Sequence, residues 1–397
     1  MTKSKWQMAK IIFVILSVFA LGISVVSKVG AQESLERKLE TYLQVLDIVK
    51  NEFVNKEVDD QKLVYGSIRG LLSALDDPYT RFMDPKAYKE MKIRMSGTYS
   101  GIGIYIGIKK DQLTVISPIE GTPAFKAKLK ALDKILKVDD KSTEHMALEE
   151  AVSLIRGPEG TEVVLNVLRQ GWEESKDIPI NRAKIKIEPL KTKKIGSNIA
   201  YIKLSTFENL TTARDFEKAL RESKNASGLI VDVRGNGGGL LQNAIDIGSM
   251  FIENGLIVQT VDREGRKEEI PSTGRVLWRK PAVVLINESS ASASEILAGA
   301  LRDNQRATLV GTRTFGKASV QNVRHLSDGS ALLVTIAKYL TPSGEDINKK
   351  GIAADIEVLV PTEEATASML GVAEEEDLQL QKAISVLKSL IKEDAGG

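Results

Sequence analysis

Two short runs, Leu229 to Val233 and Ala282 to Ile286, are apolar at every position except Asp232. Each leads into a turn rich in glycine or serine and then into a helical pattern. Strands with apolar side chains on both sides belong inside a sheet that is covered on both faces. The neighbouring segments fit such a layer. Ala200 to Leu204, Thr308 to Val310, Ser319 to Val323 and Ala331 to Ile336 read as strands, and Thr211 to Glu222, Leu240 to Phe251 and about Ser294 to Asp303 as helices. The chain from Lys191 onward is therefore expected to form a mixed α/β unit.

With 397 residues the chain is too long for one small core and calls for several domains. Apolar residues recur at helical spacing at Leu35, Leu39, Tyr42, Leu43, Leu46 and Val49, and again at Val64, Ile68, Leu71, Leu72 and Leu75. This helical arm is expected either to pack on the body or to pair with a second subunit. Between Gly97 and about Lys186 the pattern is that of a compact mixed unit. It has strands at Ile102 to Ile106, Leu113 to Ile116 and Val163 to Leu168, and a helix at Ala147 to Ile155. The acidic stretch Glu363 to Asp377 precedes a last amphipathic helix with Leu380, Ile384, Leu387 and Ile391 on one face.

Composition narrows the chemistry. There is no cysteine, which removes disulfides, thiolate metal sites and a cysteine nucleophile. Two histidines, His145 and His325, cannot make a three-histidine zinc site and leave few candidates for a Ser-His-Asp triad. The net charge is +2, and the first 31 residues hold four lysines and no acid, so the body is near neutral and lacks a nucleic-acid footprint. Those residues read as a secretory leader. Lys3, Lys5 and Lys10 precede the apolar run Ile11 to Val26, and Val29-Gly30-Ala31 supplies the small residues of a cleavage site. An uncleaved anchor would give the same topology, so in either case the body is expected to be exported to the periplasm or cell envelope.

Two glycine-rich turns invite nucleotide readings. Arg234-Gly-Asn-Gly-Gly-Gly239 would need glycine at Leu240 to make the dinucleotide fingerprint. Gly311 to Lys317 spells G-x-x-x-x-G-K, but Ala318 lacks the hydroxyl that holds magnesium, and a strand-like segment follows where a helix is required.

A different chemistry fits better. Ser292 and Glu295, after the strand ending at Ile286, have capping-box spacing before an apolar helix. The same strand-to-helix position also suits a nucleophile, because backbone N–H groups converge there and the N–H of Ala293 can face a developing oxyanion. With histidine scarce, lysine is the natural base, provided that burial keeps its amine neutral. Lys317 lies beside Phe315-Gly316 and a strand, and Gln321, four residues on, is expected on the same strand face to hold the amine.

The motifs S-A-S-A-S-E at 290–295 and T-F-G-K-x-x-V-Q at 314–321, with Lys317 twenty-five positions after Ser292, resemble those of the C-terminal processing (tail-specific) serine proteases. Gly228-Leu-Ile-Val-Asp-Val-Arg-Gly-Asn-Gly-Gly-Gly-Leu240, Thr335 to Gly344, Gly351-Ile352 and Gly101-Ile-Gly-Ile104 after Asp84-Pro85 match as well. The chain departs from the pattern at Lys128, Leu132, Ala318, Glu345 and Ala354, none of them at the proposed serine, lysine or glutamine.

After the leader read over 1–31, the resemblance, which runs from about Leu35 to the final helix, implies a helical region over 32–95, a PDZ domain over 96–186, a protease core over 187–361 and a linker with C-terminal helix over 362–397. It implies a Ser292–Lys317 dyad assisted by Gln321, oxyanion donors at Gly238 and Ala293, and no metal or cofactor. Gly101, Ile102, Gly103 and Ile104 are expected to take an apolar substrate C-terminus by strand addition and carboxylate capture. Arg156, after the PDZ helix, is a candidate link between PDZ position and active site. The partners implied are protein or peptide substrates, with no nucleic acid. The rival reading is a PDZ adaptor with an inactive protease core.

Overall fold

The structure is a computed structural model that describes residues 35–109, 112–146, 148–359 and 377–396. The expected leader at 1–31 and most of the acidic linker lie outside the described residues, and among those described no helix is long and apolar enough to cross a membrane. The chain divides into two units, residues 1–74 and Leu75–Gly397. In the first, a helix over residues 35–52 and the helix Asp60–Ser73 are joined by Tyr42–Ser67 and Lys50–Asp60 contacts of 2.8 and 2.9 Å. Asp59 caps the second helix by accepting the Lys62 N–H. Leu35, Leu39 and Leu43 remain 52–59% exposed.

The second unit is built on a six-stranded sheet. Its order is Leu190–Ile195, Ile199–Leu204, Gly228–Asp232, Ala282–Ile286, Thr308–Gly311 and Ile356–Glu357. All the pairings are parallel except the first. The two mainly apolar runs are its central strands, Gly228–Asp232 and Ala282–Ile286, and are buried along their whole length, Asp232 included. One face, with Leu229, Val231 and Val284, packs on the helices Thr212–Glu222, Leu241–Ser249 and Ala293–Asp303. The other face, with Ile230, Val283, Leu285 and Val310, receives Leu380, Ala383 and Leu387 of the helix Leu378–Gly396. Each large apolar side chain buried this way contributes roughly 1.5–3 kcal/mol. Gly228 lets that helix close on the sheet, since a Cβ there would lie 2.9 Å from the Leu387 side chain.

A second, antiparallel sheet joins Arg81–Met83, Ala331–Leu340, Leu256–Asp262 and Lys267–Pro271, with Ser319–His325 along Ala331–Leu340. The helix Pro85–Ser96, capped by Asp84, leads from it into the mixed unit. There Ile104–Lys109, Gln112–Pro118, Lys134–Val138, Glu162–Leu168 and Lys176–Asn181 form a sheet around Leu113, Val115, Ile135, Val163 and Leu165, against the helix Leu148–Ile155. The first of these strands starts at Ile104 rather than Ile102. Gly103 interrupts it at φ +80°, and Ile102 drops into the core. Thr98–Gly101 and Ala183–Lys186 pair with each other as the unit's entry and exit.

Candidate active site

The turn after Ala282–Ile286 sorts its serines by role. Ser290 Oγ donates to the Val233 carbonyl (2.9 Å) and Ser294 Oγ to the Asn236 carbonyl (2.8 Å); both are fully buried. These two bolt the turn to the loop after the neighbouring strand. Ser292 is partly exposed, with φ +57° and ψ −115°. A non-glycine residue held there costs on the order of 1–3 kcal/mol and persists only where its surroundings over-determine it. The capping-box arrangement is present, and Glu295 accepts the Ser292 N–H at 2.9 Å. The Glu295 N–H is satisfied by the Ser292 carbonyl at 2.8 Å, so the helix does not depend on the Ser292 hydroxyl as its cap.

Glu295 does more than cap. It is wholly buried, and its carboxylate accepts the Thr314 hydroxyl (2.6 Å) and the backbone N–H groups of Gly316 (2.7 Å) and Lys317 (2.9 Å) besides that of Ser292. One carboxylate thus pins the lysine loop to the serine turn. Burial pushes its pKa up and the four donors oppose that rise. The buried Tyr339 hydroxyl adds a second pin, shared between the carbonyls of Lys317 and Ser292. With Gly316 and Lys317 N–H groups committed to Glu295 and a strand following Ala318, the P-loop reading has no phosphate cradle to stand on.

Lys317 and Ser292 line one cleft of about 270 Å³, together with Ala293, Gly237, Gly239, Arg81 and Gln321. Among the described residues no hydrogen bond joins the amine to the Ser292 hydroxyl. The Nζ instead rests over the Tyr79 ring, 4.7 Å from its centroid. Burial lowers the Lys317 pKa, and the charge of Arg81 lowers it further against the opposing pull of Asp77 and Glu295. A lysine acting as base works only when neutral, so activity is expected to rise with pH through this depressed value. Arg81→Gln removes a neighbouring positive charge and should move the acid limb of kcat/KM to higher pH. Because Arg81 is exposed, the shift should shrink in high salt. A pH profile at two ionic strengths checks this, and an unmoved limb would contradict it.

Gly238 is pressed against the serine turn. A Cβ on it would lie 2.6 Å from the Ala291 carbonyl and 2.9 Å from the Ala293 nitrogen, and its φ is +95°. Its N–H donates to Asn236 Oδ1 at 2.9 Å in this conformation. The Gln321 amide donates to Ser319 Oγ (2.8 Å) and Thr335 Oγ1 (3.3 Å) rather than to Lys317. Its strand begins only at Ser319 and shifts register between Val320 and Gln321, which breaks the expected alternation from Lys317. His145 is exposed beside Glu144, and His325 contacts Tyr88. Neither lines the cleft.

In the mixed unit a groove of about 70 Å³ is lined by Gly101, Ile102, Gly103, Ile104, Val152 and Arg156 among others. Ile102 and Gly103 lie outside the strand pairings. Arg156 sits over the Tyr99 ring and bonds Glu90 on the helix Pro85–Ser96. Met91, Arg94 and Met95 of that helix border the cleft that holds Ser292 and Lys317. Sequence reasoning passed over Glu295 as more than a cap, and also Tyr79 and Arg81. Their signal is weak, because each acts through a contact with a distant segment.

Residues 198–358 match peptidase family S41, residues 90–168 the PDZ domain, and residues 21–87 the N-terminal domain of the activating protease CtpB. A carboxyl-terminal-processing protease from Synechocystis sp. is 38% identical over 86% of this chain and 80% of that protein. The chain belongs to the carboxyl-terminal-processing protease family. The carboxy-terminal processing protease CtpA of Bacillus subtilis, another member, is 37% identical over 87% of this chain and 74% of its own length. Among solved structures, the photosystem II D1 C-terminal processing protease aligns over 83% of this chain and 91% of its own, at 32% identity and a TM-score of 0.49. In this chain the peptidase and PDZ regions lie in one polypeptide.

Proposed function

We propose that the protein is an exported serine endopeptidase that uses Ser292 and Lys317 as a dyad on substrates held by their apolar C-termini. The observation that carries this reading is the strained Ser292, sharing one cleft with a pKa-depressed lysine and tied to it through Glu295. Ser292 Oγ attacks the scissile carbonyl carbon as Lys317 Nζ takes its proton. The carbonyl oxygen becomes the oxyanion of a tetrahedral intermediate, facing the Ala293 N–H and the Gly238 N–H, which leaves Asn236 Oδ1 for it. Collapse expels the amine, protonated by the Lys317 ammonium. Water, deprotonated by Lys317, then releases the acyl group and restores Ser292. Before attack, the amine must swing from the Tyr79 ring to the serine. Gln321 supports the strand beside the base through Ser319 and Thr335. The residues that form the dyad are intact, which disfavours the inactive-adaptor reading. Digestion of an unfolded protein with an apolar tail tests the assignment.

The groove beside Gly101, Ile102, Gly103 and Ile104 is the site proposed for the substrate tail. Arg156 would report its occupancy through Glu90 to the helix that borders the cleft. Amidating the terminal carboxylate of a peptide substrate, or ending it in aspartate, is expected to cut kcat/KM about ten- to a hundredfold, the worth of one or two lost hydrogen bonds to charge. Equal turnover of free and amidated peptides would count against this site. The exposed leucines of the helical arm are proposed to face a second copy of the chain. The leader, cleaved or kept as an anchor, would place the enzyme in the periplasm or cell envelope.

A further inference from the structure

The turn that carries Gly238 is fastened from behind by the far end of the chain. Arg234, only 8% exposed, lies four residues before Gly238. On one side its Nε and Nη2 donate to Asp232, with Nη2 to Oδ2 at 2.7 Å. On the other, Nη1 and Nη2 donate to Oδ1 and Oδ2 of Asp377 at 2.8 and 2.7 Å, and Nη1 also reaches Gln379 Oε1 at 3.1 Å. Asp377 stands at the start of the helix Leu378–Gly396 and accepts the Leu380 N–H at 3.0 Å. Lys203 Nζ bonds both Asp232 and the Arg234 carbonyl, and the Tyr201 hydroxyl donates to Asp232. Two carboxylates and two cations balance. Burial alone would raise the Asp232 pKa, yet Arg234 and Lys203 hold it down to about 2.

A buried ion pair is a poor source of net stability, and Leu380, Ala383 and Leu387 already seat the helix on the sheet. What two opposed carboxylate forks fix is the direction of the guanidinium and the position of its backbone. From Arg234 that position passes into the turn. The Gly235 N–H donates to Asn287, Asn236 Nδ2 donates to the Leu204 carbonyl, and the Asn236 carbonyl accepts from Ala291 and Ser294 on either side of Ser292.

We propose that Asp377 is a positioning residue for the acyl-transfer reaction: through Arg234 it sets the Gly235–Gly239 turn, and with it the oxyanion donors beside Ser292. The C-terminal helix is then part of the active-site frame. This inference rests on the peptidase reading above.

The test uses the full chain with a peptide ending in an apolar residue. Asp377→Asn is expected to lower kcat roughly ten- to a hundredfold, the scale of a small misplacement at a reacting centre, with KM within about twofold. A peptide boronic acid, which forms a tetrahedral anionic adduct on the serine, should lose affinity by the same factor. Binding of the uncleaved peptide, measured in a Ser292→Ala background, should stay constant. Asp377→Glu, which keeps the charge, should recover much of kcat. Unchanged kcat in Asp377→Asn, or a loss that appears equally in peptide binding and spares the boronate, overturns the inference. If Asp377→Asn does not fold, Gln379→Ala, which removes one contact to Arg234, should still cost several-fold in kcat; wild-type kcat there overturns it as well. A wild-type protein that neither cleaves nor binds the boronate sinks the peptidase reading, and this inference with it.

Discussion

Replacing Ser292 or Lys317 by alanine is expected to abolish cleavage of an unfolded, apolar-tailed substrate, with kcat falling by roughly 10⁴- to 10⁶-fold in either case. The two losses should not add in the double variant, because in the proposed mechanism nucleophile and base act as one device. Fold should survive both changes. Ser292 makes no side-chain contact on which its helix depends, and the Lys317 backbone, not its amine, is what Glu295 and Tyr339 hold. Substrate binding by the inactive variants, followed by fluorescence anisotropy, should match the wild type. Unimpaired turnover in either single variant would remove the dyad from the mechanism.

Glu295→Gln is expected to do more damage than its near-identical shape implies. Each carboxylate oxygen accepts two donors. Oε1 takes Thr314 and Gly316, and Oε2 takes Ser292 and Lys317. An amide replaces one of those oxygens with an NH₂ group, so whichever way it turns, two buried donors meet another donor. Thr314 cannot easily reverse, because its oxygen already accepts the Ile352 N–H at 2.7 Å. Leaving one or two buried donors unsatisfied costs about 2–4 kcal/mol, which for a domain of this size lowers Tm by roughly 5–10 °C. The lysine loop and serine turn would also lose their common anchor. A fall in kcat of about a hundredfold or more is therefore expected, even well below the transition temperature. Calorimetry and kinetics on the same preparation separate the two effects. Wild-type kcat in a destabilised variant would mean that the loop finds its place without Glu295.

What the sequence could reveal depended on whether a residue acts on its neighbours or on distant chain. Leu229–Val233 and Ala282–Ile286 were legible as central strands because burial on both faces leaves no choice of side chain. The hairpin Leu256–Asp262 and Lys267–Pro271 was not read, since its outer strand carries Lys267, Glu268 and Glu269 to solvent and shows no buried face. The serine-rich turn was visible as both a helix cap and a nucleophile site. The φ of +57° at Ser292 was not, because the distant loop of Val233 and Asn236 imposes it together with Glu295. For Gln321, alternation counted from Lys317 placed the amide beside the base. The register slip at Val320 turned it toward Thr335 instead, and such irregularities leave no periodic trace.

The ribbon of Thr98–Gly101 against Ala183–Lys186 brings the two ends of the intervening unit side by side, with Thr98 opposite Lys186. The catalytic chain therefore leaves and returns at almost one point. Such a module is a plug on a two-pin stem. On the proposed reading of its groove as the substrate-tail site, a different recognition head could be exchanged at that stem with little change to the frame below, so substrate choice and peptide-bond chemistry could diversify along a single gene.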